Sequence, residues 1–221
     1  MSFLRTAELA ADPRVRRGME AQLELRRQRL SAGDEPLGWK VGFGTPEAFE
    51  KLGTVAPLVG FLLRSAVAPS GAVYSIEGFG RPALEPEVAV HVGEGGVAAA
   101  LAPAFEIADV EPTADVERIL AGDIFQRGIV LGPAVERTSL DASPALVTVN
   151  GEPREVADAE AMPGRIPHVL AHVSGLLAAF GEQLRPGDVV ITGSIVAPLQ
   201  VEPGDRVDYQ LDGIGSVSIS F

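Results

Sequence analysis

Apolar positions recur at helical spacing over residues 11–32, where Val15, Met19, Leu23, Leu25 and Leu30 predict one long amphipathic helix and Gly33 its stop. Residues 38–44, Gly-Trp-Lys-Val-Gly-Phe-Gly, read as a short strand or strand-turn. Residues 46–52 predict a short helix, with Pro46 at a first-turn position and Gly53 just past the end. After that the period shortens. Residues 88–92 form a compact β run closed by Gly93-Glu94-Gly95-Gly96, and residues 105–110 predict another strand. Residues 113–120 suit a short helix with Thr113 as N-cap. Residues 129–131 read as extended, and residues 146–149 run into Asn150-Gly151, a two-residue hairpin signal. Residues 167–180 predict a second clear helix ended by Gly181. The β segments 189–192, 206–211 and 214–221 follow, separated by Pro-Gly-Asp and Asp-Gly turns.

A helix followed by many strands with a few inserted helices lacks the βαβα alternation of a doubly wound parallel sheet. The pattern predicts an α+β fold with a mixed, mainly antiparallel β roll or sandwich core. The expected organisation is a single catalytic domain, residues 1–221. Within it, residues 1–36 form a helical segment and residues 37–221 a β-rich core.

Composition narrows the function. The apolar fraction of 46% and charged fraction of 22% are those of a globular chain with a sizeable core. The net charge of −12 disfavours a nucleic-acid partner, which calls for a basic excess. Six arginines between Arg14 and Arg29 are interleaved with Glu20 and Glu24 and read as a solvated helix face. With no cysteine, disulfides, thiolate zinc sites and cysteine nucleophiles are excluded. No run approaches the roughly 20 apolar residues of a membrane span, and Met-Ser-Phe-Leu-Arg-Thr lacks the blocks of a signal peptide. The expected setting is the cytoplasm, with no membrane partner.

The most informative segment is Arg81-Pro-Ala-Leu-Glu85-Pro86-Glu87-Val-Ala-Val-His-Val92. Side chains alternate faces along a strand, so Glu85 and Glu87 share a face with Cα atoms roughly 6–7 Å apart. Pro86 between them predicts a strand edge or start, where an open site has access. Two carboxylates on one face repel unless protons or a cation neutralise them. A third, Glu106, is flanked by apolar residues in the neighbouring strand segment. On spacing alone, two readings stand. The three glutamates are the wet face of an edge strand, or they converge on a hard divalent cation such as Mg²⁺ or Mn²⁺.

Gly38-Trp39-Lys40-Val41-Gly42, then Pro57-Leu-Val-Gly60-Phe-Leu62, then Glu85-Pro86-Glu87, then Pro103-Ala-Phe-Glu106-Ile107 follow one another in a recognisable order. The run from Gly181 to Gly193, Gly-Glu-Gln-Leu-Arg-Pro-Gly-Asp-Val-Val-Ile-Thr-Gly, comes next. Together they resemble the 2-keto-4-pentenoate hydratase and 4-oxalocrotonate decarboxylase branch of the fumarylacetoacetate hydrolase superfamily, over residues 38–221. The resemblance implies that fold and a divalent metal on Glu85, Glu87 and Glu106. It also implies an active-site lysine at Lys40 and a pocket lined by Thr192, Gly193 and Ser194. It implies a metal-dependent lyase for small anionic 2-oxo or 2-hydroxy-dienoic acids, hydratase or decarboxylase, assembled as a homo-oligomer for which the N-terminal helix suits an interface. Two departures touch substrate contacts more than metal ligands. Gly42-Phe43-Gly44-Thr45 stands where the family has Gly-Leu-Thr-Ser, and Ala108-Asp109-Val110 follows the third glutamate in place of a Ser-Arg pair.

The alternatives are an acylpyruvate-type C–C bond hydrolase, which needs a base such as histidine near Glu85, and a non-catalytic metal- or keto-acid-binding relative. His168 and His172 lack the glutamate of a zincin motif and read as core or surface residues. Trp39 reads as core or interface packing.

Overall fold

The computed structural model describes residues 5–140, 144–158 and 165–221. The N-terminal segment contains two helices where the pattern predicts one: α1 (Thr6–Ala11) and α2 (Pro13–Ser31). The break has a local cause. Pro13 disfavours helical backbone in the residue before it, and Asp12 turns extended and caps α2 by accepting from Arg14 N–H at 2.8 Å. The apolar stripe of α2 sinks Val15, Met19 and Leu23 into the core of its own chain. Gly18 lets α2 approach α4 (Val116–Ala121), because a Cβ there would lie 2.7 Å from Leu120 Cβ. The face expected to serve an interface is therefore already covered, and Leu25 alone of the predicted stripe stands exposed.

The arginines of α2 do more than face solvent. Arg26 stacks 4.8 Å over the Trp39 ring, Arg17 pairs with Glu117, and Arg14 donates to the Leu52 and Gly53 carbonyls. They tie the helix to three neighbouring elements. Trp39 is buried, as expected of core packing. His172 is buried in α5 (Ile166–Ala179), bonded to Thr6 Oγ1 and the Pro57 carbonyl, so it belongs to the core.

The β core begins with β1 (Pro36–Gly42), followed by α3 (Pro46–Leu52), β2 (Leu58–Leu63) and the short β3 (Val67–Ala68). A long hairpin comes next, β4 (Pro82–Val92) and β5 (Ala98–Asp109). After α4 come β6 (Gln126–Leu131), the hairpin β7 (Pro144–Val149) and β8 (Glu152–Asp158), then α5. The chain closes with β9 (Val189–Ile191), β10 (Leu199–Gln200), β11 (Arg206–Leu211) and β12 (Gly215–Ser220). The main sheet has the order β2-β1-β9-β4-β5-β6-β3, with β10 on β4, and a second sheet has the order β12-β11-β7-β8. Among the described strands only β1–β9 and β3–β6 pair parallel, with one further parallel bridge between Val73 and Ser220, which makes this the mixed, mainly antiparallel α+β core expected.

The hairpin strands start earlier and run longer than their apolar centres predict, because proline- and alanine-rich stretches extend them. The short helix α4 is capped by Asp115, whose side chain accepts from Arg118 N–H at 3.2 Å, and not by Thr113. Thr113 sits one step upstream and accepts from Asp115 N–H. Asn150 and Gly151 both take left-handed backbone, with φ of 53° and 84°, which is the hairpin turn their dipeptide predicts.

The main sheet curls. Its convex face meets the helices and the second sheet in one large core. Its concave face encloses a small apolar cluster that includes Leu62, Ala89, Ala102, Ile129 and Ile191.

Candidate metal centre

The centre rises from the β4–β5 ladder. Register sets Glu85 directly opposite Glu106, and the two-residue period puts Glu87 on the same face as Glu85. One carboxylate oxygen from each of the three glutamates lies within 4.8 Å of the others. Glu87 and Glu106 are buried and Glu85 is partly buried. This removes the reading of a wet edge strand.

The expected edge or strand start at Pro86 is not found, because Pro86 lies inside a strand flanked on both sides. The reason is local. The N and O of one strand residue point to the same side, and the Pro86 carbonyl accepts from Ile195 N–H at 3.0 Å. The missing N–H therefore faces the connection between β9 and β10, where no ladder needs it. That connection fills the gap in the sheet and lines the cavity with Gly193 to Pro198.

Lys40 comes from β1, beside Ile191 of β9. Its side chain crosses to ion-pair with Glu106 and donates to the Ile124 carbonyl at 3.2 Å. Burial lowers the Lys40 pKa, but Glu106 and Asp123 outweigh that and hold it above the usual lysine value. Burial drives Glu85 up to about 7, with Glu106 adding to the rise and Lys40 opposing it. Glu87 is raised further by burial and by its two carboxylate neighbours.

Asp123, which begins the polar turn Asp123-Ile124-Phe125-Gln126, is a residue to which the sequence gives no site role. It is buried, and Oδ1 accepts from Phe61 N–H at 2.8 Å. Burial pushes its carboxyl up to about 8 while Lys40 draws it back. Asp123, Ile124 and Phe125 hold φ of 54°, 51° and 65°, a left-handed run of three non-glycine residues. Backbone of this kind carries strain and persists only where surrounding contacts enforce it. Here it aims the Ile124 carbonyl at Lys40 and the Asp123 carboxyl at the β2 backbone. Gly60 makes room, since a Cβ there would stand 2.7 Å from Asp123 Oδ1 and 2.9 Å from Lys40 Cγ.

A cavity of about 660 Å³ opens over this cluster, with Lys40, Glu85, Glu106, Gly193 and Ser194 among its walls. Gly193 N–H donates to Glu87 Oε2 at 2.8 Å. Ser194 turns its hydroxyl to the Val196 carbonyl at 2.7 Å. Thr192 was expected on the wall but is not there. It is buried behind Gly193, its Oγ1 on the Gly193 carbonyl at 3.5 Å and its N–H on Val88 O, because the alternation at the end of β9 turns it off the concave face. No histidine lines the cavity among the described residues.

The donor set fits a hard divalent cation. All three groups are carboxylates, which suit ions that prefer oxygen. Glu87 Oε1 is buried with no hydrogen-bond donor facing it, an arrangement that costs free energy unless a positive group meets it. The raised pKa values of Glu85 and Glu87 say the same thing: without a cation, these groups take up protons.

Known proteins share this arrangement of sequence and fold. The chain is 28% identical over 220 residues to 4-oxalocrotonate decarboxylase of Pseudomonas putida, covering 90% of this chain and 83% of that one. It is 28% identical over 219 residues to 2-hydroxyhexa-2,4-dienoate hydratase of Comamonas testosteroni, covering 90% and 83%. The solved structure of 4-oxalocrotonate decarboxylase from Pseudomonas putida G7, complexed with magnesium and adipate, superposes with a TM-score of 0.83 at 26% identity, covering 92% of this chain and 84% of that one. The family described as fumarylacetoacetate (FAA) hydrolase C-terminal matches residues 46–220. From its sequence and its fold, the chain belongs to the fumarylacetoacetate hydrolase C-terminal family.

Proposed function

We propose that this chain is a divalent-metal-dependent lyase acting on small 2-oxo or 2-hydroxy-dienoic acids, of the kind formed in meta-cleavage catabolism of aromatic compounds. The observation that carries the reading is the convergence of Glu85, Glu87 and Glu106 within 4.8 Å at the floor of a cavity that also holds a buried lysine. The relatives named decarboxylase and hydratase, and the magnesium complex of one of them, support it.

Glu85, Glu87 and Glu106 would hold the cation. When bound, it supplies Lewis-acid chelation of the substrate's C1 carboxylate and C2 oxygen. Gly193 N–H fixes the rotamer of Glu87 from behind. Lys40, held above the usual lysine value, keeps a fixed positive charge beside Glu106, near the place a substrate carboxylate would occupy. Asp123 and the Ile124 carbonyl hold Lys40 in position. Decarboxylation moves electron density onto the C2 oxygen, and hydration does so when water adds at C4 of the conjugated enone that ketonisation forms, so one site serves either. A hydrolase reading asks for a base that activates water, and the absence of histidine among the described cavity residues disfavours it.

Thermal denaturation with and without Mg²⁺ tests the site, because a ligand that binds only the folded state raises its stability. The native chain is expected to gain stability with Mg²⁺, and Glu85→Ala combined with Glu87→Ala to lose that gain. Retention of the gain in the double variant would rule out these ligands. Incubation with 2-hydroxydienoates and with acylpyruvates then separates lyase from hydrolase, through loss of the dienoate chromophore or release of a carboxylic acid.

A further inference from the structure

The cavity has two chemically unlike ends. One holds Lys40, Glu85 and Glu106. The other lies past the C-terminal ends of β1 and β5 and has Phe43 and Val110, with Phe125 packed against Phe43 and Ala48 contributed by α3. Phe43 and Phe125 meet edge to face, with centroids 6.3 Å apart and planes at 68°. Both take left-handed backbone, with φ of 56° and 65°. Such backbone is rare for aromatic residues and costs free energy, so two instances across one opening mark that wall as a place the fold goes to some length to build.

Among the described residues lining the cavity, Lys40 is the only basic one. It is already engaged, with Glu106 and the Ile124 carbonyl, and buried at 2% exposure. No other lining side chain among the described residues carries a positive charge. Thr45 lines that end, but its hydroxyl oxygen caps α3 by accepting from Ala48 N–H at 3.1 Å, which also occupies that amide. Gln200 contributes one neutral, exposed amide.

We infer that the Phe43–Phe125 end of the cavity selects 2-oxo acids whose remote end is an uncharged apolar chain, and discriminates against acids that carry a second carboxylate there. The inference rests on the metal-lyase reading above and names the substrate class of that same site. An acid chelated at the glutamate end lays its remaining carbons toward the two rings. Each methylene buried there adds affinity. A terminal carboxylate in the same place would give up water for apolar walls, with no counter-ion to replace it.

Calorimetry in excess Mg²⁺ with three probes tests this: pyruvate, 2-oxohexanoate and 2-oxoadipate. Pyruvate reports the chelating end alone, and the other two share a carbon skeleton and differ only in the terminal carboxylate. The expected order is 2-oxohexanoate tightest, with 2-oxoadipate at least about tenfold weaker, the scale of an uncompensated polar group. Equal or tighter binding of 2-oxoadipate, with pyruvate bound, overturns the selectivity and leaves the metal reading intact. Failure of pyruvate itself to bind in Mg²⁺ overturns the metal reading, and the selectivity with it. Val110→Arg supplies the missing cation. Among variants that still bind pyruvate, it is expected to shift the ratio about tenfold toward 2-oxoadipate, the change produced by one added charge-assisted contact. An unchanged ratio overturns the placement of the remote end.

Discussion

The concave face of the main sheet has two halves made from the same strands, and they differ in what they bury. In one half Ala89, Ala102 and Ile191 close against Leu62 and Ile129, all fully buried. In the other, Lys40, Glu85, Glu87 and Glu106 share that face, and the two halves meet where Lys40 pairs with Ile191 and Glu106 with Ile129. β4 passes from the second kind to the first within two residues, from Glu87 to Ala89. The apolar half stabilises the fold whatever the solution contains. The acidic half is a cost to the fold until its charges are compensated, so its stability depends on pH and on cations. The difference teaches that this sheet separates the work of holding itself together from the work of binding along one strand.

The strongest way to break this comparison is Lys40→Met. It strands Glu106 and Asp123 without a cation and is expected to lower stability by about 3–5 kcal/mol, measured by urea denaturation of chelator-treated protein. A loss below about 1 kcal/mol would mean that the carboxylates had simply taken up protons, on the linkage argument. Next comes Leu62→Ala in the apolar half, expected to cost about 2–5 kcal/mol through cavity formation while the Mg²⁺-induced thermal shift stays. If that shift disappears, the two halves are not separable.

Gly60→Ala sharpens the boundary. Its Cβ would press on Asp123 and Lys40, at 2.7 and 2.9 Å. The expected cost is about 1–3 kcal/mol of overpacking, with weakened substrate-analogue binding seen by calorimetry.

The pH axis has a definite sign. Folded Glu85 and Asp123 are pushed up to about 7 and about 8, from ordinary values of 4.5 and 3.8. Between those limits the folded state holds protons the unfolded chain has released. Chelator-treated protein is therefore most stable below about pH 4, as far as these groups go, and loses that contribution as pH rises toward 8. A bound cation needs the carboxylates ionised, so apparent Mg²⁺ affinity moves the opposite way. It is expected to fall about tenfold for each pH unit below the Glu85 value, followed by titration calorimetry at several pH values. The smallest effect belongs to neither half: Arg17→Ala breaks the exposed pair with Glu117 and should cost less than about 1 kcal/mol in the same denaturation assay.

What the sequence made legible follows from the range of each signal. Glu85-x-Glu87 is readable because strand periodicity is local and fixes a shared face. Glu106 is readable because a charge amid apolar neighbours calls for a partner. The mixed β core is likewise plain from the run of short strands and turns. The break at Asp12-Pro13 was open to view but was overridden by the longer apolar period on its C-terminal side. β2 carries apolar residues on both faces, so it has no alternation to read. Asp123 was out of reach for another reason. Its role depends on a lysine from a distant part of the chain and on a left-handed backbone that Ile124 and Phe125 do not favour by themselves. Thr192 was misplaced because a one-residue shift at a strand end reverses the face a side chain takes.

The position of β1 between β2 and β9 has a consequence in time. The indole N–H of Trp39 donates to the Asp188 carboxylate at 3.3 Å across 149 positions of sequence, and Lys40 lies beside Ile191 in the same pairing. On a ribosome, the strand that carries the lysine is made long before its parallel neighbour β9. Through most of synthesis β1 can pair on one edge only, with its own hairpin partner β2. Pairings of such separation form slowly and leave an edge open meanwhile. The partners of the lysine, Glu106 and the Ile124 carbonyl, are made well before β9, so the ion pair can form while the sheet beside it is still open.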